Sequence, residues 1–179
     1  MKPTHQLCYE TPNDAAAVEH LLDLAFGPSR RTKMSYRLRE GSAPISGLSL
    51  LAKEEGLGLV GAISFWPLLI GPKLVPALLL GPLAVHPERQ KRGIGLALME
   101  QGLTRAKDMG HGFVVLIGDA PYYARVGFQQ VPEGKLDMPG VFDAKRLLYR
   151  ELKSDAFAEA QGLALPPWRW REIVEAKSA

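Results

Sequence analysis

The sequence predicts a single α/β domain over residues 1–179, with a mixed, mostly antiparallel sheet and helices on both faces. Short apolar segments of strand length alternate with amphipathic segments of helix length, which is typical of a layered α/β domain. Most of the apolar segments are joined by short turns, which favours antiparallel neighbours. One pair, at 79–85 and 113–117, is separated by a helix and is nearly all apolar, as parallel strands covered on both faces are.

A strand and a helix are predicted at the start of the chain. Residues 6–10 form a candidate strand, and Asn13 or Asp14 can cap a helix that runs to about Phe26. The later strands are separated by glycine- and proline-containing turns and are predicted at 48–53, 59–66, 127–131 and 146–152.

A basic segment follows the first helix, with five arginines and lysines between positions 30 and 39. Met34 and Leu38 lie four residues apart, which predicts a second amphipathic helix that ends at Glu40. Its charges are typical of a solvated face, and they also suit a binding surface.

The longest helix is predicted directly after the strand at 79–85. Four apolar residues at steps of three and four share one face, which we expect to be buried. Gly110 follows the last turn, where a left-handed cap is expected. Gly81 and Pro82 interrupt the strand and predict a β-bulge. The four helix residues are Leu96, Met99, Leu103 and Ala106.

The turn between this strand and this helix can bind an anion. The first N–H groups of a helix have no partner within it, and the helix dipole adds positive charge there. Gly93 and Gly95 lack a Cβ, so a phosphate can approach the backbone, and Lys91 and Arg92 add formal positive charge. The same two glycines are also compatible with a tight turn alone. The dinucleotide-binding motif Gly-x-Gly-x-x-Gly would need a third glycine at position 98, where the sequence has Leu98, so the loop does not match that motif.

Three segments together resemble a known family. Residues 90–95 resemble the acetyl-CoA pyrophosphate loop of GNAT-type N-acetyltransferases, Gln/Arg-x-x-Gly-x-Gly/Ala. Residues 83–87 resemble the end of the family's cofactor strand, and 122–128 resemble its later Phe-Tyr-x-x-x-Gly-Phe segment. The resemblance is strongest over the motif core, about 79–131.

The resemblance implies a GNAT-type fold and direct transfer of an acetyl group from acetyl-CoA to a primary amine. It implies that the bulge splays the strand from its parallel neighbour and opens a wedge for acetyl-CoA. It also implies that the basic segment borders the acceptor site or meets the 3′-phosphate of CoA. The residues implied in acetyl-CoA binding are Leu83, Ala84, Val85, Gln90, Lys91, Arg92, Gly93, Ile94 and Gly95.

Tyr123 matches the functional tyrosine of the family and is implied as the acid, or the hydrogen-bond donor, for the departing thiolate. Tyr122 is interpreted as a packing residue. The connection before them is shorter than in many members, and Asp119 stands where those members carry an asparagine. Asp119 either contacts the cofactor or caps the helical turn, and the second is favoured. No general base stands out, since His86 before a proline is more typical of a turn.

Composition limits the remaining function classes. The net charge of +3 and the pI near 9.0 are too mild to indicate nucleic-acid binding, although they suit an anionic cofactor. Cys8 is the single cysteine, so no intrachain disulfide can form. His5, His20 and His111 do not have the spacing of metal ligands, and no metal is expected.

The apolar runs are too short to cross a membrane, and the first residues lack the pattern of a signal peptide, so we expect a cytoplasmic protein without a membrane partner. The sequence does not identify the acceptor, which we expect to be a small-molecule or protein amine. A homodimer is possible, and residues 168–170 are either a closing strand or a dimer contact. The alternative function is a non-catalytic acyl-CoA sensor or partner-binding module.

Overall fold

The structure is a computed structural model that describes residues 5–178. Its strands are β1 (His5–Tyr9), β2 (Ser49–Glu54), β3 (Gly58–Ile70), β4 (Val75–Val85), β5 (Phe113–Ile117), β6 (Gln129–Gln130), β7 (Leu136–Asp137), β8 (Leu147–Glu151) and β9 (Gly162–Leu165). Its α-helices are α1 (Ala15–Phe26), α2 (Met34–Arg37), α3 (Ile94–Asp108), α4 (Ala120–Ala124) and α5 (Pro167–Ser178).

The sheet has the predicted mixed topology. The strands pair in the order β1-β2-β3-β4-β5-β8-β6, and β9 pairs with the far end of β3. Every pair along this path is antiparallel except β4 and β5, which are parallel and are connected through α3. This arrangement confirms the α/β class and the mostly antiparallel sheet.

The helices lie on both faces of the sheet because alternate strand residues point to opposite sides. α1 packs through Val18, Leu21 and Leu22 on one face, and α3 packs on the other. The face under α1 carries Leu51, Ala62 and Ala84, and the face under α3 carries Leu50, Ala52 and Ile63.

The buried stripe of α3 differs from the prediction at one residue. Leu98 is fully buried, whereas Leu96 is only half-buried and lines a cavity. The stripe includes two glycines, Gly95 and Gly102, which a search for apolar side chains passes over. Gly102 lets the helix approach the sheet, since a Cβ there would lie 2.6 Å from the ring of Phe65.

The parallel strands β4 and β5 separate after a short paired region. They pair at Leu78 with Val114 and at Leu79 with Val115, yet β4 continues to Val85. The two strands therefore diverge at their carboxyl ends and leave a wedge, as the family resemblance implied.

The predicted bulge is confirmed at the start of this wedge. Gly81 and Pro82 both stand in β4 where β3 has Ser64 alone, and the register shifts there. Trp66 Nε1 donates to the carbonyl oxygen of Gly81 at 2.6 Å, which fixes the bulge from the neighbouring strand.

The prediction of an amphipathic helix through the basic segment is confirmed only over its second part, because the segment is divided into two short helices. Residues Pro28–Thr32 form a 3₁₀ helix, and α2 is a single turn after Lys33, whose backbone is extended. The side chain of Arg30 is 5% exposed and pairs with the α1 carboxylates of Glu19 and Asp23. These ion pairs hold the segment against α1, and this tertiary contact overrides the helical period.

The interpretation of residues 168–170 as a closing strand is wrong, because they lie in α5. Pro167 begins this helix, as proline does at a first helical position. The strand that closes the sheet is β9, immediately before it. Trp168 donates to Glu40 O at 2.9 Å and Trp170 donates to Leu69 O at 2.8 Å. A dimer contact at this place stays a prediction. Within residues 5–178, no helix has the length and apolar character needed to cross a membrane.

Candidate active site

A first cavity of about 460 Å³ occupies the wedge where β4 meets the start of α3. Seven of the nine residues predicted to bind acetyl-CoA line it. They are Leu83, Val85, Gln90, Lys91, Gly93, Ile94 and Gly95. Ala84 and Arg92 do not line it, and Ala84 is instead buried on the opposite face beneath α1.

The turn before α3 presents backbone donors to this cavity. Gly93 caps the helix with φ +81°, and Lys91 has φ +62°, so two left-handed residues alternate through the turn. The backbone N–H groups of residues 90–96 donate to no acceptor among residues 5–178. Such a row of free N–H groups forms a concave anion-binding nest. A Cβ on Gly93 would meet nothing within 4 Å, so the space above this turn is open.

Gly95 has a different role from the one expected. A Cβ at this position would lie 2.3 Å from the hydroxyl oxygen of Tyr122. The missing side chain therefore makes room for Tyr122, which lines the cavity beside the helix terminus.

Two further cations line the first cavity. Arg89 is paired with Glu54 at 2.9 Å, so its charge is largely neutralised. Arg125 is exposed and has no carboxylate partner among the described residues. Sequence reasoning missed Arg125, although it lies within the tyrosine segment that carried the resemblance.

Tyr123 stands where the first cavity meets a second one. Its ring packs edge-on against Tyr122 and Phe128, with ring centres 5.2 and 5.9 Å away. It also covers Gly118, where a Cβ would lie 2.3 Å from the ring. Its hydroxyl has no hydrogen-bond partner within residues 5–178. Burial, reinforced by Tyr122, raises the pKa of Tyr123 to about 12.

The second cavity has a volume of about 540 Å³. It shares four lining residues with the first, namely Phe26, Leu83, Tyr122 and Tyr123. Its other walls come from the basic segment, the bulge of β4, residues 117–119 and residues 141–146. Sequence reasoning missed the last of these walls, because no motif marks it.

The basic segment borders the second cavity, and none of its residues lines the first. This placement fits the expected acceptor site and gives no support for contact with the 3′-phosphate of CoA. The Arg30 guanidinium already forms ion pairs with Glu19 and Asp23 on α1, so it is not available to a ligand in this arrangement.

Asp119 is the N-cap residue of α4, as expected, but its side chain makes no capping hydrogen bond. Its backbone oxygen instead accepts from the N–H groups of Tyr122 and Tyr123, both at 3.1 Å. Asp119 lines the second cavity and not the first. His86 lines neither cavity, and its Nδ1 accepts from the backbone N–H of Glu88 at 3.3 Å, as expected of a turn residue. In the described part of the chain, no cluster of potential metal ligands occurs.

Known proteins share this architecture. The family model for an acetyltransferase (GNAT) domain matches residues 9–131. The uncharacterised N-acetyltransferase YjhQ of Escherichia coli K12 is 35% identical over 119 residues, and the match covers 65% of each chain, just under two thirds of that relative.

Two crystal structures are also similar. The GNAT family N-acetyltransferase YhbS from Escherichia coli, in complex with CoA, matches with a TM-score of 0.80 and 24% identity over 96% of this chain and 94% of that one, which shows the fold. A GNAT family acetyltransferase from Brucella melitensis, in complex with acetyl-CoA, is 35% identical, with a TM-score of 0.61 over 71% of this chain and 84% of that one. The chain thus belongs to the GNAT family of acetyltransferases, which confirms the family and the acyltransferase class predicted from its motifs.

Proposed function

We propose that the protein transfers the acetyl group of acetyl-CoA directly to a primary amine. The observation that carries this proposal is the meeting of the two cavities at Leu83, Tyr122 and Tyr123. One cavity has the features of a pyrophosphate site, and the other has room for a small acceptor. An amine in the second cavity would thus reach a thioester held in the first without a covalent enzyme intermediate.

The loop 90–95 holds the pyrophosphate through its free backbone N–H groups, with Lys91 and Arg125 as the nearby positive charges. The end of β4 lies open to the wedge, so the main chain of Leu83 and Val85 can bind the pantetheine arm. Because these contacts use the backbone, side-chain identity matters most at Gly93, where the chain is left-handed.

Tyr123 stabilises the departing thiolate by donating a hydrogen bond. Its pKa of about 12 lies well above the value of about 8.5 for an ordinary thiol, so full proton transfer to the thiolate is uphill. The phenol therefore keeps its proton and acts as a donor rather than as an acid. As the new N–C bond forms and the C–S bond breaks, the amine's proton leaves to water through the open second cavity.

Tyr123→Phe tests this function. We expect kcat to fall about ten- to hundredfold, since one hydrogen bond to a charged group is lost. Thermal unfolding with acetyl-CoA, with NAD as the negative control, should show an undiminished shift. Tyr149→Phe is the matched control, because Tyr149 stacks on Phe157 and lines neither cavity.

The sensor alternative predicts a different result. The wild-type protein would then show a shift with acetyl-CoA but no acetylation of any member of a panel of small amines and peptides. That outcome would contradict the proposed transfer while leaving the binding site intact. A shift with NAD as large as that with acetyl-CoA would contradict the loop assignment itself.

A further inference from the structure

The second cavity contains a half-buried guanidinium that has no carboxylate partner among residues 5–178. Arg39 lines the cavity beside the bulge residues Gly81 and Pro82. Of its five N–H donors, only Nε–H has an acceptor within residues 5–178, the carbonyl oxygen of Ser35 at 3.0 Å. The four remaining donors, on the two terminal nitrogens, are available to a ligand.

Two aromatic rings hold this guanidinium in place. Its central carbon lies 4.8 Å from the ring centre of Tyr36 and 5.5 Å from that of Trp66. Trp66 is itself tied to the bulge by its hydrogen bond to Gly81 O. A guanidinium fixed in this way loses little conformational freedom when it binds a planar anion.

The acidic groups around Arg39 do not neutralise it. Glu19 and Asp23 on α1 are occupied by Arg30 and Arg31. Burial is the main influence on Arg39, and it lowers the pKa to about 10, so the guanidinium is still charged at neutral pH. Partial removal of a charge from water without a partner has a free-energy cost, and an incoming anion would relieve that cost.

The second cavity also contains a carboxylate near Tyr123. Asp119 lines the cavity, and the backbone of Asp119 accepts from Tyr123 N–H, so this carboxylate lies beside the proposed reaction centre. Arg146 lines the cavity as well, and its Nε donates to the carbonyl oxygen of Gly118 at 3.3 Å. A ligand with an ammonium near Asp119 and an anion near Arg39 would have an oppositely charged group for each end.

We propose that Arg39 binds a carboxylate of the acceptor, so that the substrates are primary amines that also carry a carboxylate, as amino acids do. This inference rests on the proposed acetyl transfer. The planar fork of the guanidinium matches a carboxylate with two parallel hydrogen bonds. The carboxylate is held at Arg39 while the amine points towards Tyr123.

The test compares amines that differ only in the carboxylate. Glycine, L-phenylalanine and 4-aminobutanoate are each assayed against the corresponding carboxamide with saturating acetyl-CoA. In 4-aminobutanoate the amine is far from the carboxylate, so both members have similar amine pKa values. We expect the best carboxylate to exceed its carboxamide in kcat/KM by about ten- to hundredfold.

Arg39→Gln should raise KM for the carboxylate, so that the ratio of kcat/KM between carboxylate and carboxamide falls to near one. The kinetics with the carboxamide and the thermal shift with acetyl-CoA should not change. Arg39→Lys should restore part of the preference. Arg31→Gln is the matched control, because Arg31 is exposed and lines neither cavity. An equal loss for both members of a pair would indicate a structural role and overturn the inference.

Calorimetric titration of the same carboxylates into CoA-saturated protein gives a readout without turnover. Binding by the wild-type protein that weakens about tenfold or more in Arg39→Gln supports the inference. No binding of any of the three overturns it. Acetylation of carboxamides as readily as carboxylates would overturn the inference and leave the proposed acetyl transfer standing. Carboxylate binding that depends on Arg39, without acetylation of any amine, would overturn the proposed acetyl transfer and the role of the carboxylate compound as acceptor, and would leave only a carboxylate-binding site at Arg39.

Discussion

The two cavities that meet at Tyr123 are built in different ways. The first is formed largely by one continuous stretch of chain, from the end of β4 through the loop to the first turn of α3, and it presents backbone groups. The second is formed by side chains from the basic segment, the bulge and residues 117–119 and 141–146. A site made of backbone tolerates most side-chain changes but not a change in backbone conformation. A site made of side chains can change its ligand without changing the fold.

Gly93→Asp gives the largest effect that we expect on the first cavity. The new carboxylate would stand in the anion nest, so the affinity for acetyl-CoA should fall by about a hundredfold or more. In the wild-type protein, a ligand at a hundred times its Kd adds about 2.7 kcal/mol, or roughly 5–10 °C in Tm. At the same ligand concentration, this shift should fall to about 2 °C or less in the variant.

Gly56→Asp is the control for backbone strain in this experiment. Gly56 has φ +80°, almost the φ of Gly93, and a Cβ at either position would meet nothing within 4 Å. Both variants should lose about 1–2 kcal/mol of stability from the left-handed residue. A full acetyl-CoA shift in Gly93→Asp, or a lost shift in Gly56→Asp, would contradict the role of the loop.

The same contrast explains how much the sequence could predict. The first cavity follows from short-range signals, since free N–H groups at a helix start and left-handed glycines are local properties of residues 90–95. The second cavity depends on where separate segments meet. Nothing local to residues 28–39 shows that Arg30 would be buried against α1 while Arg39 has no carboxylate partner in the described part of the chain.

The role of Gly95 illustrates the same limit within the motif itself. The spacing of the glycines identified the loop, but the contact with Tyr122 joins residues far apart in the sequence. Leu96 was predicted to be buried for a related reason. Helical spacing alone is compatible with several buried faces of α3, and the packing of the helix on the sheet determines which face is buried. Trp168 and Trp170 have side-chain contacts with distant backbone oxygens, which no local pattern encodes.

Gly118→Ala is expected to have the next largest effect, at the junction of the two cavities. The new methyl group would overlap the ring of Tyr123 and displace its hydroxyl. We expect kcat to fall about tenfold and stability to fall by about 1–3 kcal/mol, with acetyl-CoA binding retained. Gly112→Ala, at the other end of β5, is the control, since its Cβ would make a milder 3.1 Å contact with Ala156 and should leave kcat unchanged.

Gly95→Ala separates packing from anion binding in the first turn of α3. In the wild-type background, the overlap with the Tyr122 hydroxyl should cost about 1–3 kcal/mol. In a Tyr122→Phe background the nearest ring atom would be 3.7 Å away, so the clash disappears. Alanine is then favoured over glycine in a helix by about 0.5–1 kcal/mol. Chemical denaturation gives the free energy of unfolding of the wild-type protein, the two single variants and the double variant, and thus the coupling between positions 95 and 122. If the two effects on stability were additive, the Tyr122 hydroxyl would not be the reason that position 95 requires glycine.

The last prediction is that pH does not change the ratio of kcat between the wild-type protein and Tyr123→Phe. Because burial raises the pKa of Tyr123 to about 12, its phenol stays protonated through the range where an ordinary tyrosine, with a pKa of about 10, would ionise. The ratio of kcat between the wild-type protein and Tyr123→Phe should therefore stay constant from about pH 8 to about pH 10.5. Taking the ratio cancels the titration of the amine, which affects both proteins equally. A ratio that falls by half near pH 10 would mean that Tyr123 is exposed to water during turnover and that the junction of the two cavities opens.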